Sequence, residues 1–183
     1  MSKTKIEAGA VFERFEKKYL LSGNQYKALW TQLQKHMQAD EYGRHTICTL
    51  YYDTDDFAVI RHCLDKPVFK EKLRLRSYGV PGQNSTVYLE LKKKLDGMTY
   101  KRRMAMRLCE AEEYRKGNGL PAEESQIGGE IDWYKGQREL GGKAVICYDR
   151  VALFGKWDEE FRITFDANIR WRGYGLPRAA GDH

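Results

Sequence analysis

Histidine is scarce in this chain, cysteine is scattered, and no apolar run approaches the length of a membrane span. The four histidines fall in no constellation with serine or cysteine, so a nucleophile–imidazole pair has no support. Cys48, Cys63, Cys109 and Cys147 make no Cys-x-x-Cys pair and no Cys/His cluster, and a zinc site is not indicated. The start, Met1 to Gly9, is polar and has no apolar h-region. Four reduced, mostly buried thiols in a cytoplasmic protein are the expectation. There is no GxxxxGK[ST] loop and no GxGxxG after a strand; Gly141-Gly142-Lys143 and Gly155-Lys156 read as turns. The aromatic strand signature of RNA-binding modules is not visible, although the tyrosines keep that class open.

What the chain does have is charge. Lys and Arg number 32 against 26 Asp and Glu, a formal net charge of +6. That balance favours an anionic partner but is too even for a non-specific nucleic-acid binder, so cations concentrated at one place are expected and a nucleic-acid partner is not. At 183 residues the chain is one domain with room for a core. The reading is a flexible N-terminus over 1–10, a domain over 11–172 and an irregular tail over 173–183.

Period-2 alternation predicts seven strands: 11–21, 45–53, 68–78, 86–94, 98–108, 143–154 and 161–171. Leu95-Asp96-Gly97 joins the fourth and fifth as a hairpin. A helix follows its N-cap Ser22, with Tyr26, Leu29, Trp30, Leu33 and Met37 as a core-facing stripe. Asp53 caps a short helix ending near Cys63, and two more helices span 110–116 and 123–138. The sum is an α+β domain dominated by antiparallel sheet, with closure into a barrel in view.

Several strands carry cations at every second position. Lys70, Lys72, Arg74 and Arg76 form the clearest row. Arg14, Glu16 and Lys18 align on the first strand; Tyr88, Glu90, Lys92 and Lys94 on the fourth; Lys101, Arg103 and Arg107 on the fifth. Tyr148 and Arg150 align on the sixth, and Arg162, Thr164, Asp166 and Asn168 on the seventh. Any one row is explained by a solvated face of a half-exposed sheet. The set is not, because solvated faces mix both signs and like charges on neighbouring strands repel. If the rows face inward they line a channel for a polyanion, with Arg giving bidentate contacts to phosphate and Lys acting as a point charge. Glu16 and Glu90 are the candidate metal ligands, although ion pairing to neighbouring Lys and Arg is the competing and favoured reading of both.

The ordered series FERFEKKYLL (12–21), YYDTDDF (51–57), KLRLRSYG (72–79), VYLELKKK (87–94), YKRR (100–103), CYDRVALFG (147–155) and FRITFDANIR (161–170) resembles the VTC family of polyphosphate polymerase domains. That family belongs to the CYTH-like, or triphosphate tunnel metalloenzyme, superfamily. The resemblance implies an antiparallel β-barrel tunnel with helices packed outside. It also implies transfer of the γ-phosphate of ATP to a growing polyphosphate chain, with Mn²⁺ or Mg²⁺ as cofactor. Lys18, Arg74, Arg76, Lys92 and Lys101 would be the catalytic set, and Arg14, Arg61, Arg103, Arg150 and Arg162 would bind phosphate or nucleotide. A membrane-protein partner is part of what the resemblance implies for some members. Family members continue into a further strand bearing a metal-binding Glu; no equivalent is visible here, so the barrel is expected to be incomplete at its C-terminal side. A non-catalytic polyanion-binding module and a tunnel-type triphosphatase are the alternatives.

Overall fold

The computed structural model describes residues 16–118 and 126–173. In chain order the elements are α1 (Gly23–Leu33), β1 (Met37–Ala39), β2 (His45–Asp53), α2 (Ala58–Leu64), β3 (Phe69–Tyr78), β4 (Thr86–Leu95), β5 (Met98–Arg107), α3 (Leu108–Lys116), α4 (Gln126–Gly136), β6 (Gly141–Gly155) and β7 (Arg162–Gly173). All strand pairings are antiparallel. β7 lies on one edge of β6; β1 and β2 share the other edge, and β3, β4 and β5 follow in sequence. The sheet curls into a half-barrel, and among the described residues β5 and β7 do not pair.

The turn and cap chemistry read from the sequence is in place. Asp96 and Gly97 both take positive φ, 44° and 84°, as a two-residue hairpin turn between β4 and β5 requires. Ser22 and Gln25 form a reciprocal capping box at the start of α1. Asp53, buried at the end of β2, accepts hydrogen bonds from the backbone N–H groups of Val59 (2.8 Å) and Ile60 (3.0 Å). It thereby satisfies orphan donors at the first turn of α2.

One face of the sheet is apolar. Tyr52, Leu73, Leu75, Val87, Leu89, Leu91 and Met106 pack there against Ala111 and Tyr114 of α3 and Ile131 and Tyr134 of α4. Tyr114 donates to Asp132, and the Lys135 ammonium donates to the Tyr114 carbonyl at 2.8 Å, tying α3 to α4. A register shift in the β6–β7 ladder falls between Cys147 and Asp149. Asp149 sits at this bulge and accepts from Arg44, Thr46 and Asn168, each at 2.9 Å. Those hydrogen bonds hold its carboxyl down to about 2.

Three expectations need correction. The strand predicted over 11–21 is absent from its described part: 16–21 runs as irregular, exposed chain. Alternation marks a candidate strand, but a strand exists only where a neighbouring edge accepts its hydrogen bonds. The seventh strand is instead β1, three residues long and too short for a period to register. The stripe on α1 faces no core, since no α1 residue is buried. Tyr26 and Trp30 rest edge-on against Phe165 of β7, with ring centroids 5.0 and 5.7 Å away, and Met37 leaves the helix to become a buried residue of β1.

The apolar face carries the stability. Ile131, with 0% exposure, locks α4 to the sheet. Ile131→Ala should cost about 2–5 kcal/mol, read as a lower urea midpoint at unchanged slope.

Candidate functional site: a cationic trough

The face opposite the core is built from the alternate residues of the same strands. Register places Arg74 opposite Glu90 and Glu90 opposite Arg103; Lys72 opposes Lys92, which opposes Lys101; Lys70 opposes Lys94; Arg76 opposes Tyr88. Directly opposed residues share a face. Nine cations of β3–β5, counting Arg107 at the end of β5, therefore share one side of the sheet with Glu90 as the single carboxylate of those strands among them. Because the helices occupy the other side, these side chains line the inside of the curl.

Glu90 is the centre of this arrangement and is fully buried. Arg74 Nε donates to its Oε2 at 2.8 Å, Lys101 Nζ lies 2.7 Å from Oε1, and Arg76 Nε stands 3.9 Å from Oε2. Tyr51 Oη is 3.5 Å from Arg74 Nη1. Burial pushes the Glu90 carboxyl up, but Arg74, Lys101 and Arg76 together outweigh that and hold it below its ordinary range. Burial lowers Lys101, against the pull of Glu90, and lowers Lys92, against that of Glu16. Arg74 is also desolvated by burial, yet Glu90 keeps its pKa raised. One carboxylate thus holds three cations in place, and the trough keeps a large positive excess.

The sequence-predicted residues divide clearly. Arg74, Arg76, Lys92 and Lys101 converge, with Arg103 beside them and stacked 4.5 Å over the ring of Tyr88. Glu16 reaches Lys92 at 3.7 Å and Lys18 at 3.6 Å, so both leading-segment residues lie at the trough's margin. Arg150 is on the same face of β6, where Asp166 grips it through two 2.7 Å hydrogen bonds. Arg162, across from Phe154, shares that face on β7 and is exposed. Arg61 is on the exposed side of α2, and no ion pair among the described residues joins it to the Glu90 cluster. Arg14 lies outside the described residues. Tyr51, Lys70 and Lys72 belong to the trough although they were not singled out as site residues; strand alternation was the signal for all three.

The acidic side chains do not fit a metal centre. Among the described residues no group of three His, Cys, Asp or Glu comes together. Glu90 is occupied by its three cations, and Glu16 by two lysines. Ion pairing, the competing reading of both carboxylates, is what the geometry displays.

The curled antiparallel sheet with external helices is an α+β half-barrel. A solved structure shares it: a Bacillus halodurans protein carrying the name of a candidate adenylate cyclase, 16% identical, TM-score 0.51, with 84% of this chain and 80% of that one covered. At that identity the likeness shows the fold. The family model of the VTC domain matches residues 13–179, and the chain belongs to that family. No curated protein matches the sequence. No helix among the described residues is long and apolar enough to cross a membrane.

Two outcomes test the cluster. Glu90→Ala leaves Arg74 and Lys101 without their partner and should cost about 3–5 kcal/mol in urea unfolding at pH 7. Since the folded pKa of Glu90 is lowered, the stability it adds is complete above its ordinary value of 4.5 and is lost as pH falls through the lower folded value. Glu90→Gln should therefore flatten the fall in stability below pH 4.5, and an unchanged acid limb would contradict the role assigned to this carboxylate.

Proposed function

We propose that the trough binds condensed phosphate and that the chain is a polyphosphate polymerase, joining the γ-phosphoryl group of ATP to a polyphosphate end. The observation that supports it is the gathering of Arg74, Arg76, Lys92, Lys101 and Arg103 on one inward face around a single buried carboxylate. In the step proposed, a terminal polyphosphate oxygen bonds to the γ-phosphorus as the bond to the β–γ bridging oxygen breaks. ADP leaves, and the polymer is one unit longer. Such a transfer asks the protein mainly for positioning and charge neutralisation. Arg74 and Arg76, braced by Glu90, offer guanidinium forks of fixed direction; Lys92 and Lys101 add point charges. No protein nucleophile is needed. ATP and polyphosphate are the partners of this reading, and Mn²⁺ or Mg²⁺ is the cofactor that the family resemblance implies for it.

A second reading is a polyanion-binding module without turnover. The pairing of Glu90 with Arg74 and Lys101, and of Glu16 with Lys18 and Lys92, favours it, since both carboxylates face cations.

Incubation of the purified chain with ATP and Mn²⁺, followed by gel detection of polyphosphate, separates the two. Polymer should form, and Arg76→Ala or Lys101→Ala should lower the rate at least tenfold with the fold retained by circular dichroism. Tight polyphosphate binding with no polymer formed or cleaved would leave the binding module standing. In either case the affinity should fall steeply between 50 and 200 mM salt. Salt-insensitive binding would argue against the trough as the contact surface.

A further inference from the structure

The trough has two unlike ends. Toward the β4–β5 turn the inward residues of β3–β5 are Lys70, Lys72, Lys92, Lys94 and Thr99. Toward the opposite end the same face turns aromatic. Tyr88, two residues from Glu90, meets Tyr78, two residues from Arg76, with ring centroids 5.7 Å apart and planes at 77°. Tyr78 in turn meets His45 of β2 at 6.0 Å. Arg103 lies over the Tyr88 ring at 4.5 Å, and Arg150 lies 5.2 Å from the centroid of Tyr148.

A linear polyanion gains nothing from this asymmetry, because every one of its units has the same chemistry. A ligand with a phosphate tail and a flat π-face does. We propose that the Tyr78–Tyr88 ledge with Arg103 is a platform for the base of a nucleoside triphosphate whose phosphates lie on the Glu90 cluster. This rests on the phosphate-binding reading of the trough and adds to it the residues that tell a nucleotide from inorganic phosphate.

Three features support it. Tyr78 is half exposed although it has ring neighbours on two sides, so part of its surface is open to a ligand. The rings meet edge to face rather than stacked, so the pair takes up one face of one ring and leaves the others for Arg103 or a ligand. Arg103 supplies a guanidinium plane over the Tyr88 ring; aromatic and arginine planes are the surfaces on which bases stack in proteins that hold single-stranded nucleic acid. Two residues along a strand is about 7 Å, a gap that a ribose bridges between base and phosphate.

The test compares two ligands by calorimetry at one salt concentration: ATP, and inorganic tripolyphosphate, which has no base. Tyr88→Ala and the double variant Tyr78→Ala/Tyr88→Ala should weaken ATP about tenfold or more and change tripolyphosphate less than twofold. Tyr88→Phe keeps the ring and should bind both like the wild type, which guards against a folding defect in the alanine variants. Lys101→Ala should weaken both ligands together. Equal losses for the two ligands in the tyrosine variants, or no loss for ATP, would overturn the platform while leaving the phosphate site intact. A wild-type chain that binds neither ligand would overturn both.

Discussion

A single carboxylate without exposed surface, ion-paired to two cations and 3.9 Å from a third, is the interaction on which the rest of this molecule turns. Glu90 lies on a central strand where its neighbours to either side are Arg74 and Arg103. Without a negative charge there, the rows of Lys and Arg on β3, β4 and β5 would press like charges together across 5 Å ladders. With it, Arg74, Arg76 and Lys101 are drawn into one place and their directions are fixed. The same carboxylate is too fully engaged to serve a metal. Its work is to let a cationic surface fold and still present most of its charge.

On β3 the two faces of the sheet divide the labour. Alternate residues of β3 are core (Leu73, Leu75) and trough (Lys72, Arg74, Arg76). A register slip of one residue would bury the cations under α3 and α4 and expose the core, so packing and function specify the same register. Some family-like motifs serve the scaffold instead. In YYDTDDF, Asp53 ties the end of β2 to the first turn of α2, and in CYDRVALFG, Asp149 pins the bulge of β6. Cys48 and Cys147 face each other across β2 and β6 with sulfurs 3.0 Å apart. Burial and the neighbouring Cys147 push the Cys48 thiol up to about 11, as suits a protonated, half-buried thiol.

Much of this was legible beforehand because it is local. The β2, β3, β4, β5, β6 and β7 spans agree with the alternation to within two residues at most ends, and the Asp-Gly turn and the Ser22 cap are chemistry of adjacent residues. Convergence of Arg74, Arg76, Lys92 and Lys101 followed from assigning each to its inward phase. What escaped the reading depends on neighbours far along the chain. Glu16–Leu21 has the right alternation but no strand pairing. Tyr26 and Trp30 have the right helical spacing, yet the surface they meet is Phe165 on an edge strand rather than a core. Arg61 sits on a helix whose rotation about its axis is set by Val59 and Cys63 packing on the sheet, and that rotation leaves it outside.

The sequence by itself determined which residues alternate, where the chain must turn, and that its cations fall in strand phase; these are consequences of backbone geometry over a few residues. Only the tertiary structure decided that Glu90 would be surrounded by cations from two neighbouring strands and its own flanks, that Arg150 would be neutralised by Asp166, and that tyrosines from β3 and β4 would meet at one end of the trough. Those outcomes depend on strand order and register, and both are fixed by burying one face of the whole sheet at once.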